Sequence, residues 1–102
     1  MGGVSGPLAG AEGITWVRPN PALGPVEIGF TLGRPGPVTL RIHDVLGRQV
    51  RTLARGQWRD AGPQSIAWDG RGDRGGTLPA GFYIATLRTR GGESRRTLIR
   101  IR

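Results

Sequence analysis

Few residues in this chain are able to do acid–base or nucleophilic chemistry. The sequence contains one histidine, His43, which precedes Asp44, and its serines are Ser5, Ser65 and Ser94. A hydrolytic triad needs a histidine beside an activated nucleophile, and none of these serines stands in a strand-to-helix nucleophile motif. We therefore predict that the chain is not an enzyme and has no catalytic residues.

Acidic residues in a glycine-rich segment are the next candidates, as ligands for a cation. Asp69 and Asp73 lie four positions apart, and Asp60 precedes them. Ca²⁺ takes roughly six to eight oxygen ligands, and the interleaved Arg71 and Arg74 oppose such a site. The sequence has no cysteine, which excludes disulfides and thiolate metal sites. We predict no metal ion and no cofactor, and we assign the aspartates to turn stabilisation.

Basic residues are the most abundant charged groups. The formal net charge is +8, and all 15 basic residues are arginine. A positive charge favours anionic partners, but no basic helix or aromatic RNA-binding strand motif accompanies it, so we expect no nucleic acid. The candidate partner surface, for an anionic cell-surface polymer or for secretion machinery, is Arg88, Arg90, Arg95, Arg96, Arg100 and Arg102. The interpretation that we favour for these arginines is a solvated outer face that protects an edge strand from aggregation, because runs of charge are usually solvated.

Short strands must position these residues. The 19 glycines and 8 prolines are spread between short apolar runs, which disfavours long helices. Alternating apolar residues and turn signals predict strands at residues 14–17, 26–32, 38–43, 48–54, 64–68, 82–89 and 95–101. Loops are predicted at residues 55–63, 69–81 and 90–94. This pattern is typical of an all-β, immunoglobulin-like β-sandwich of about seven strands in two antiparallel sheets.

The chain divides into a leader and one domain. We predict a flexible leader over residues 1–13 and the sandwich over residues 14–102. The leader has neither the basic start nor the sustained apolar stretch of a signal peptide. No apolar run in the sequence is long enough for a membrane-spanning helix.

The alternation also predicts which side chains fill the core. The predicted core residues are Phe30, Leu40, Ile42, Ile66, Trp68, Tyr83, Leu87 and Ile99. We expect Trp68 to occupy the space between the sheets and the Tyr83 hydroxyl to bind a loop carbonyl, as in the corners of many sandwiches. In the tight turn after residue 43, Asp44 is expected to cap the backbone and Gly47 to adopt a positive φ.

Several spaced motifs occur in order along residues 17–102. They are R-P-N-P at residues 18–21, D-x-x-G-R-x-V-x-x-L at 44–53, W-D-G at 68–70, G-x-Y at 81–83 and a basic last strand. Together they resemble the Ig-like domain of the flagellar hook-capping protein family. They also resemble the related C-terminal sorting domains of type IX secretion. The long glycine- and aspartate-rich loop after W-D-G is more similar to the hook-cap branch.

The resemblance implies a function as well as a fold. It implies a non-catalytic structural or assembly module of a secreted or surface-appendage protein, located outside the cell or on its surface. Its partners would be domains of the parent protein or identical copies. An export address for type IX secretion is the alternative. A module that binds a surface or a carbohydrate through Trp58 and the arginine hairpin is a weaker one.

The N-terminal strand is a candidate for self-assembly. It is short and apolar, and Pro19 and Pro21 stiffen the connection that follows it. Such a strand pairs within its own sandwich or joins the open edge of a neighbour. We predict some tendency to form oligomers through Ile14, Thr15, Trp16 and Val17.

Overall fold

The computed structural model describes residues 12–101, which form strands and no helix. The strands are β1 (Gly13–Arg18), β2 (Val26–Leu32), β3 (Gly36–Asp44), β4 (Gln49–Arg59), β5 (Gly62–Trp68), β6 (Gly81–Thr89) and β7 (Gly92–Arg100). Accordingly, no helix in this part of the chain could cross a membrane. The all-β prediction is confirmed.

Two antiparallel sheets form the sandwich. One sheet has the order β1-β2-β5 and the other the order β4-β3-β6-β7. The pairing of β1 with β2 and the hairpin of β6 with β7 join sequence neighbours, whereas β2–β5 and β3–β6 join strands that are distant in sequence. Strands β1 and β7 also touch, so the two sheets approach each other along that side.

The core lies between the sheets and matches most of the predicted alternation. Six of the predicted residues are buried in it: Phe30, Leu40, Ile42, Trp68, Tyr83 and Leu87. Ile66 packs against the core but is only partly buried. The assignment of Ile99 is wrong, because Leu98 takes the inward position on β7 with 2% exposure and Ile99 is partly exposed on the opposite face.

Strand boundaries differ from the predictions around β4 and β7. The structure continues β4 to Arg59, so most of the loop predicted at residues 55–63 is strand. Thr89 pairs with Gly92, which reduces the predicted hairpin loop at 90–94 to a two-residue turn. The irregularity expected in β4 is confirmed, since β4 is an edge strand whose register with β3 shifts.

Strand β1 begins at Gly13, the last residue of the predicted leader. Residues 1–11 of that leader fall outside the described residues. The Trp16 ring lies directly on Gly29 of β2, where a Cβ atom would overlap the ring. The missing side chain at Gly29 therefore gives Trp16 its place against the sheet.

Candidate functional site

A groove on the outer face of the four-stranded sheet is a candidate binding feature of the described residues. It has a volume of about 290 Å³ and runs along β6 between β3 and β7. Ile84 and Thr86 of β6 form its floor. Arg41 of β3 and Arg95 of β7 rise on its two sides. These residues face outward because their neighbours on the same strands, such as Leu40, point into the core.

Strand register sets the spacing of the two arginines. Arg41 and Arg95 are both paired with Thr86, one from each side. Adjacent strands lie about 4.8 Å apart, so the two arginine backbones are separated by roughly 10 Å across the groove. The Nε atom of Arg41 is buried and has no hydrogen-bond partner among the described residues.

Glu93 supplies the carboxylate of the groove. Its two oxygens accept hydrogen bonds from Arg88 at 3.3 Å and from Arg95 at 3.0 Å. The hydrogen bond from Arg95 lowers the pKa of Glu93 most, and Arg88 lowers it further against partial desolvation. Three arginines and one carboxylate line the groove, which therefore keeps an excess of positive charge.

The other end of the same face is apolar. Phe82 is 57% exposed and is paired directly with Ile99 of β7. Ile84 follows Phe82 on the same face of β6. Val45 and Leu46 are exposed in the turn between β3 and β4, next to the strand end that pairs with the start of β6. The face therefore combines a cationic end with an apolar end.

The predicted arginine surface is not a single surface. Arg88 and Arg95 lie on the outer face, whereas Arg96 points to the other side of β7 and reaches the carbonyl of Thr15 at 3.4 Å. Arg90 stacks on the Trp58 ring, with its Cζ 5.6 Å from the ring centroid. Arg102 lies outside the described residues.

Arg100 was predicted on the solvated face, and that prediction is wrong. The residue is 5% exposed and its guanidinium lies 5.5 Å from the centroid of the Trp68 ring. It donates a hydrogen bond to the Gly24 carbonyl at 3.2 Å. It also closely approaches Gly70, whose φ of 81° and missing side chain make room for it. Arg100 is thus part of the core and unavailable to a partner.

Arg41 and His43 are among the groove residues that do not belong to the predicted arginine surface. Both lie on the outward side of β3 and line the groove. The alternation of residues 38–43 was the available signal, because it places both side chains outward. Both residues are distant in sequence from the β6–β7 hairpin, and they lie beside its arginines only because β3 pairs with β6.

The residues weighed for catalysis lie apart. His43 is in the groove, Ser65 is on β5 of the other sheet, and the Ser94 hydroxyl accepts a hydrogen bond from the Ile14 amide at 3.0 Å. Ser5 lies outside the described residues. Of the residues that the structure describes, His43, Ser65 and Ser94 share no common site.

The acidic loop is tied to β4 by Arg51. This arginine binds Asp69 at 2.9 Å and approaches Asp73 at 3.9 Å. Asp69 also accepts a hydrogen bond from the Arg71 amide, as predicted for a turn aspartate, and Asp73 accepts one from the Thr52 amide. No group of three potential metal ligands occurs within residues 12–101. The loop carboxylates thus fasten the loop to the sheet.

Comparison with models of known protein families identifies the family of this chain. Residues 22–93, more than half of the sequence, match the model of the FlgD Ig-like domain. The chain belongs to the FlgD Ig-like domain family. As an FlgD-like Ig domain it is an Ig-like accessory module. The sequence matches none of the curated proteins.

Solved structures share the fold of this FlgD-like domain. Dimeric latent PorU from Porphyromonas gingivalis superposes with a TM-score of 0.66 and 22% identity over 86% of this chain. PorZ, a surface component of the type IX secretion system of the same organism, gives 0.61 and 21% over 88%. FlgD from P. aeruginosa gives 0.61 and 24% over 74% of this chain and 61% of its own. At these identities the likeness shows the fold alone.

Two of these structures are much longer than this chain. It spans 9% of PorU and 12% of PorZ. In these proteins the FlgD-like sandwich is therefore one domain within a larger protein.

Proposed function

We propose that this chain is a non-catalytic, exported accessory module that contacts neighbouring protein domains through the outer face of its four-stranded sheet. The family match is the main support for the proposal. In PorU and PorZ the same sandwich forms a small part of a large protein, as an accessory domain would. The cationic and apolar groove supports a binding role for that face.

Export is supported by the location of a protein that shares this fold. PorZ is described as an essential bacterial surface component of the type IX secretion system. We test it by raising antibodies to the domain and labelling intact and permeabilised cells of the native host. We expect labelling of intact cells. Labelling only after permeabilisation would contradict export.

A sorting function is the second candidate, and the fold of PorU and PorZ favours it. The long loop between β5 and β6 speaks for the hook-cap branch instead. The test fuses the full chain to a reporter with a signal peptide in a type IX host. We expect no surface display. Display that is lost when the core residue Trp68 is changed to alanine would establish sorting.

Self-assembly through β1 is a separate proposal. In the sandwich β1 pairs with β2 of its own chain, and its Ile14 amide is bound by Ser94. A neighbour could therefore receive this strand only by exchange. The segment Pro19–Pro21 supports exchange, because a stiff connection discourages a strand from folding back.

A further inference from the structure

We propose that the groove along β6 binds an extended protein segment that carries carboxylates at one end and apolar side chains at the other. The inference rests on the proposed contact function and names its partner. Its basis is the order of residues along one face: Arg88, then Thr86 between Arg41 and Arg95, then Ile84, then Phe82.

The cationic end fits carboxylates. Arg41 and Arg95 stand on opposite sides of Thr86, roughly 10 Å apart at the backbone, and both line the groove. A guanidinium binds a carboxylate through paired N–H donors, and such charge-assisted bonds are strong. The buried, unpartnered Nε of Arg41 is a donor that the described residues leave unused.

Glu93 acts as an internal competitor in this arrangement. It occupies Arg88 and Arg95, and both of these side chains are about 70% exposed (70% and 71%). Exposed ion pairs of this kind contribute little to stability, so they are readily exchanged. An incoming carboxylate therefore replaces a weak intramolecular partner.

The apolar end distinguishes among anionic partners. Exposed Phe82 is paired with the partly exposed Ile99, and Ile84 lies between Phe82 and the arginines on the same face of β6. An acidic polysaccharide has no apolar side chains with which to cover the exposed Phe82 ring. A second copy of this chain, with its net charge of +8, is a poor match for the cationic end of the groove because it carries the same sign of charge. An acidic protein segment with apolar residues satisfies both ends.

The test uses the full chain and a synthetic peptide with two glutamates at one end and two leucines at the other. Binding is followed by amide NMR shifts and calorimetry at low salt, with a glutamine-for-glutamate peptide and polygalacturonate as comparison probes. We expect shifts confined to β3, β6 and β7. We also expect weaker binding of both comparison probes. Tighter binding of polygalacturonate, or shifts spread over the other sheet, would overturn the proposal.

Matched variants separate the groove from general charge attraction. Arg41→Gln with Arg95→Gln should weaken binding of the acidic peptide at least about tenfold. Arg34→Gln with Arg74→Gln removes the same charge away from the groove and should change binding less than about twofold. Equal losses in the two pairs would overturn the proposal. If the first pair fails to fold, Arg88→Gln with Arg95→Gln, both highly exposed, takes its place.

Glu93→Gln provides a gain-of-function test. Removal of the competing carboxylate should tighten peptide binding by about threefold or more. A purely structural role of Glu93 would leave binding unchanged or weaken it, and either result would contradict the proposal. Because these measurements use the purified chain, their failure leaves the cell-labelling test of export untouched.

Discussion

Trp68 and Tyr83 meet edge to face at the centre of the sandwich, with ring centroids 5.9 Å apart. The indole N–H donates to the Arg71 carbonyl at 2.9 Å and the Tyr83 hydroxyl donates to the Pro79 carbonyl at 2.7 Å. The predicted corner hydrogen bond of Tyr83 is thus confirmed. Both rings fill the core while their polar atoms hold the loop between β5 and β6, so packing and loop conformation depend on each other.

Removing the Trp68 ring should therefore be costly. Trp68 is 1% exposed, and we expect Trp68→Ala to lower the free energy of unfolding by about 3–5 kcal/mol, because it leaves a cavity between the sheets. Trp58, which is 59% exposed, provides the control, and Trp58→Ala should cost less than about 1 kcal/mol. Urea denaturation measures both. Equal costs would show that Trp68 is not a core residue.

Arg100 should be replaceable by an apolar side chain of similar length. Its aliphatic stem and guanidinium pack on Trp68, and no carboxylate among the described residues pairs with it. We expect Arg100→Ala to cost roughly 2–3 kcal/mol through lost packing, and Arg100→Met to cost less than about 1 kcal/mol. Urea midpoints of the two variants decide the point. A methionine variant as unstable as the alanine variant would assign the effect to the guanidinium itself.

The sequence predicts core residues well where one side of a strand is polar. On β3, polar Thr39 and Arg41 alternate with apolar neighbours, and Leu40 and Ile42 are buried as expected. On β7, by contrast, residues 97–101 contain apolar side chains on both sides. The inward side also carries an arginine, which no hydrophobic pattern marks as core. Ile99 and Arg100 were misassigned for this reason.

At the scale of elements, a short segment before β2 covers the free edge of β7. The Asn20 side chain accepts from the Ile99 amide at 2.9 Å and donates to the Thr97 carbonyl at 3.1 Å. Ala22 then bonds to the backbone of Ile99 and Ile101. The segment thus behaves as an additional partial strand and closes an edge that would otherwise be open to other chains.

Asn20→Ala should loosen that edge. Loss of the two side-chain hydrogen bonds is expected to lower stability by about 1 kcal/mol and to speed hydrogen exchange of the Ile99 amide. Gln49→Ala, which removes a local bond to Thr52, serves as the control and should leave Ile99 unaffected. Unchanged exchange at Ile99 in the Asn20 variant would contradict the role of this segment.

The loop carboxylate Asp69 should make stability depend on acid pH. The pKa of Asp69 lies below its ordinary value of 3.8, mainly because of the Arg71 amide, with Arg51 adding to the effect against partial desolvation. A lowered folded-state pKa contributes stability that is present above the unfolded value and is lost as pH falls through the folded one. Asp69→Asn should therefore be less stable than the native chain at neutral pH.

The difference between native chain and Asp69→Asn should shrink as pH falls below about 4. Thermal melts at a series of pH values measure it. Asp60→Asn is the control, since Asp60 is exposed and forms no ion pair within the described residues. A difference that stays constant between neutral and acid pH would show that the ionised carboxylate does not stabilise the loop.

The elements themselves were largely predictable, and their ends were not. The strands at residues 26–32 and 82–89 appear in the structure within one residue of the predicted bounds. Residues 55–59 contain glycine, glutamine and arginine, which signal a loop, yet β4 continues there because it can pair with the start of β3. Pairing with a distant strand overrides local propensity in this case.

At the scale of the whole molecule, the groove could not be predicted. Its residues come from β3, β6 and β7, and β6 joins β3 across about forty residues of sequence. The alternation predicts which side of each strand faces solvent, but it does not predict which strands become neighbours. The arginine-rich hairpin was recognised as a candidate surface. Arg41 joins Arg88 and Arg95 there only through the sheet topology.

Strand exchange by β1 is the property of the whole molecule that is most directly testable. Arg18 and Glu27 are exposed partners across β1 and β2, and the chain has no native cysteine. A disulfide formed by Arg18→Cys with Glu27→Cys would pin β1 to its own β2. Because its positive charge opposes association, we expect the native chain to be monomeric at low concentration. At high concentration we expect a minor oligomer that forms by exchange of β1.

The oxidised double variant should stay monomeric throughout, and reduction of its disulfide should restore the oligomer. Light scattering over a concentration series measures the masses, and the reduced variant is the control for the substitutions. Oligomers that persist in the oxidised variant would show association through another surface. A native chain that is monomeric at every concentration would contradict the exchange proposal, because β1 would then pair only with β2 of its own chain.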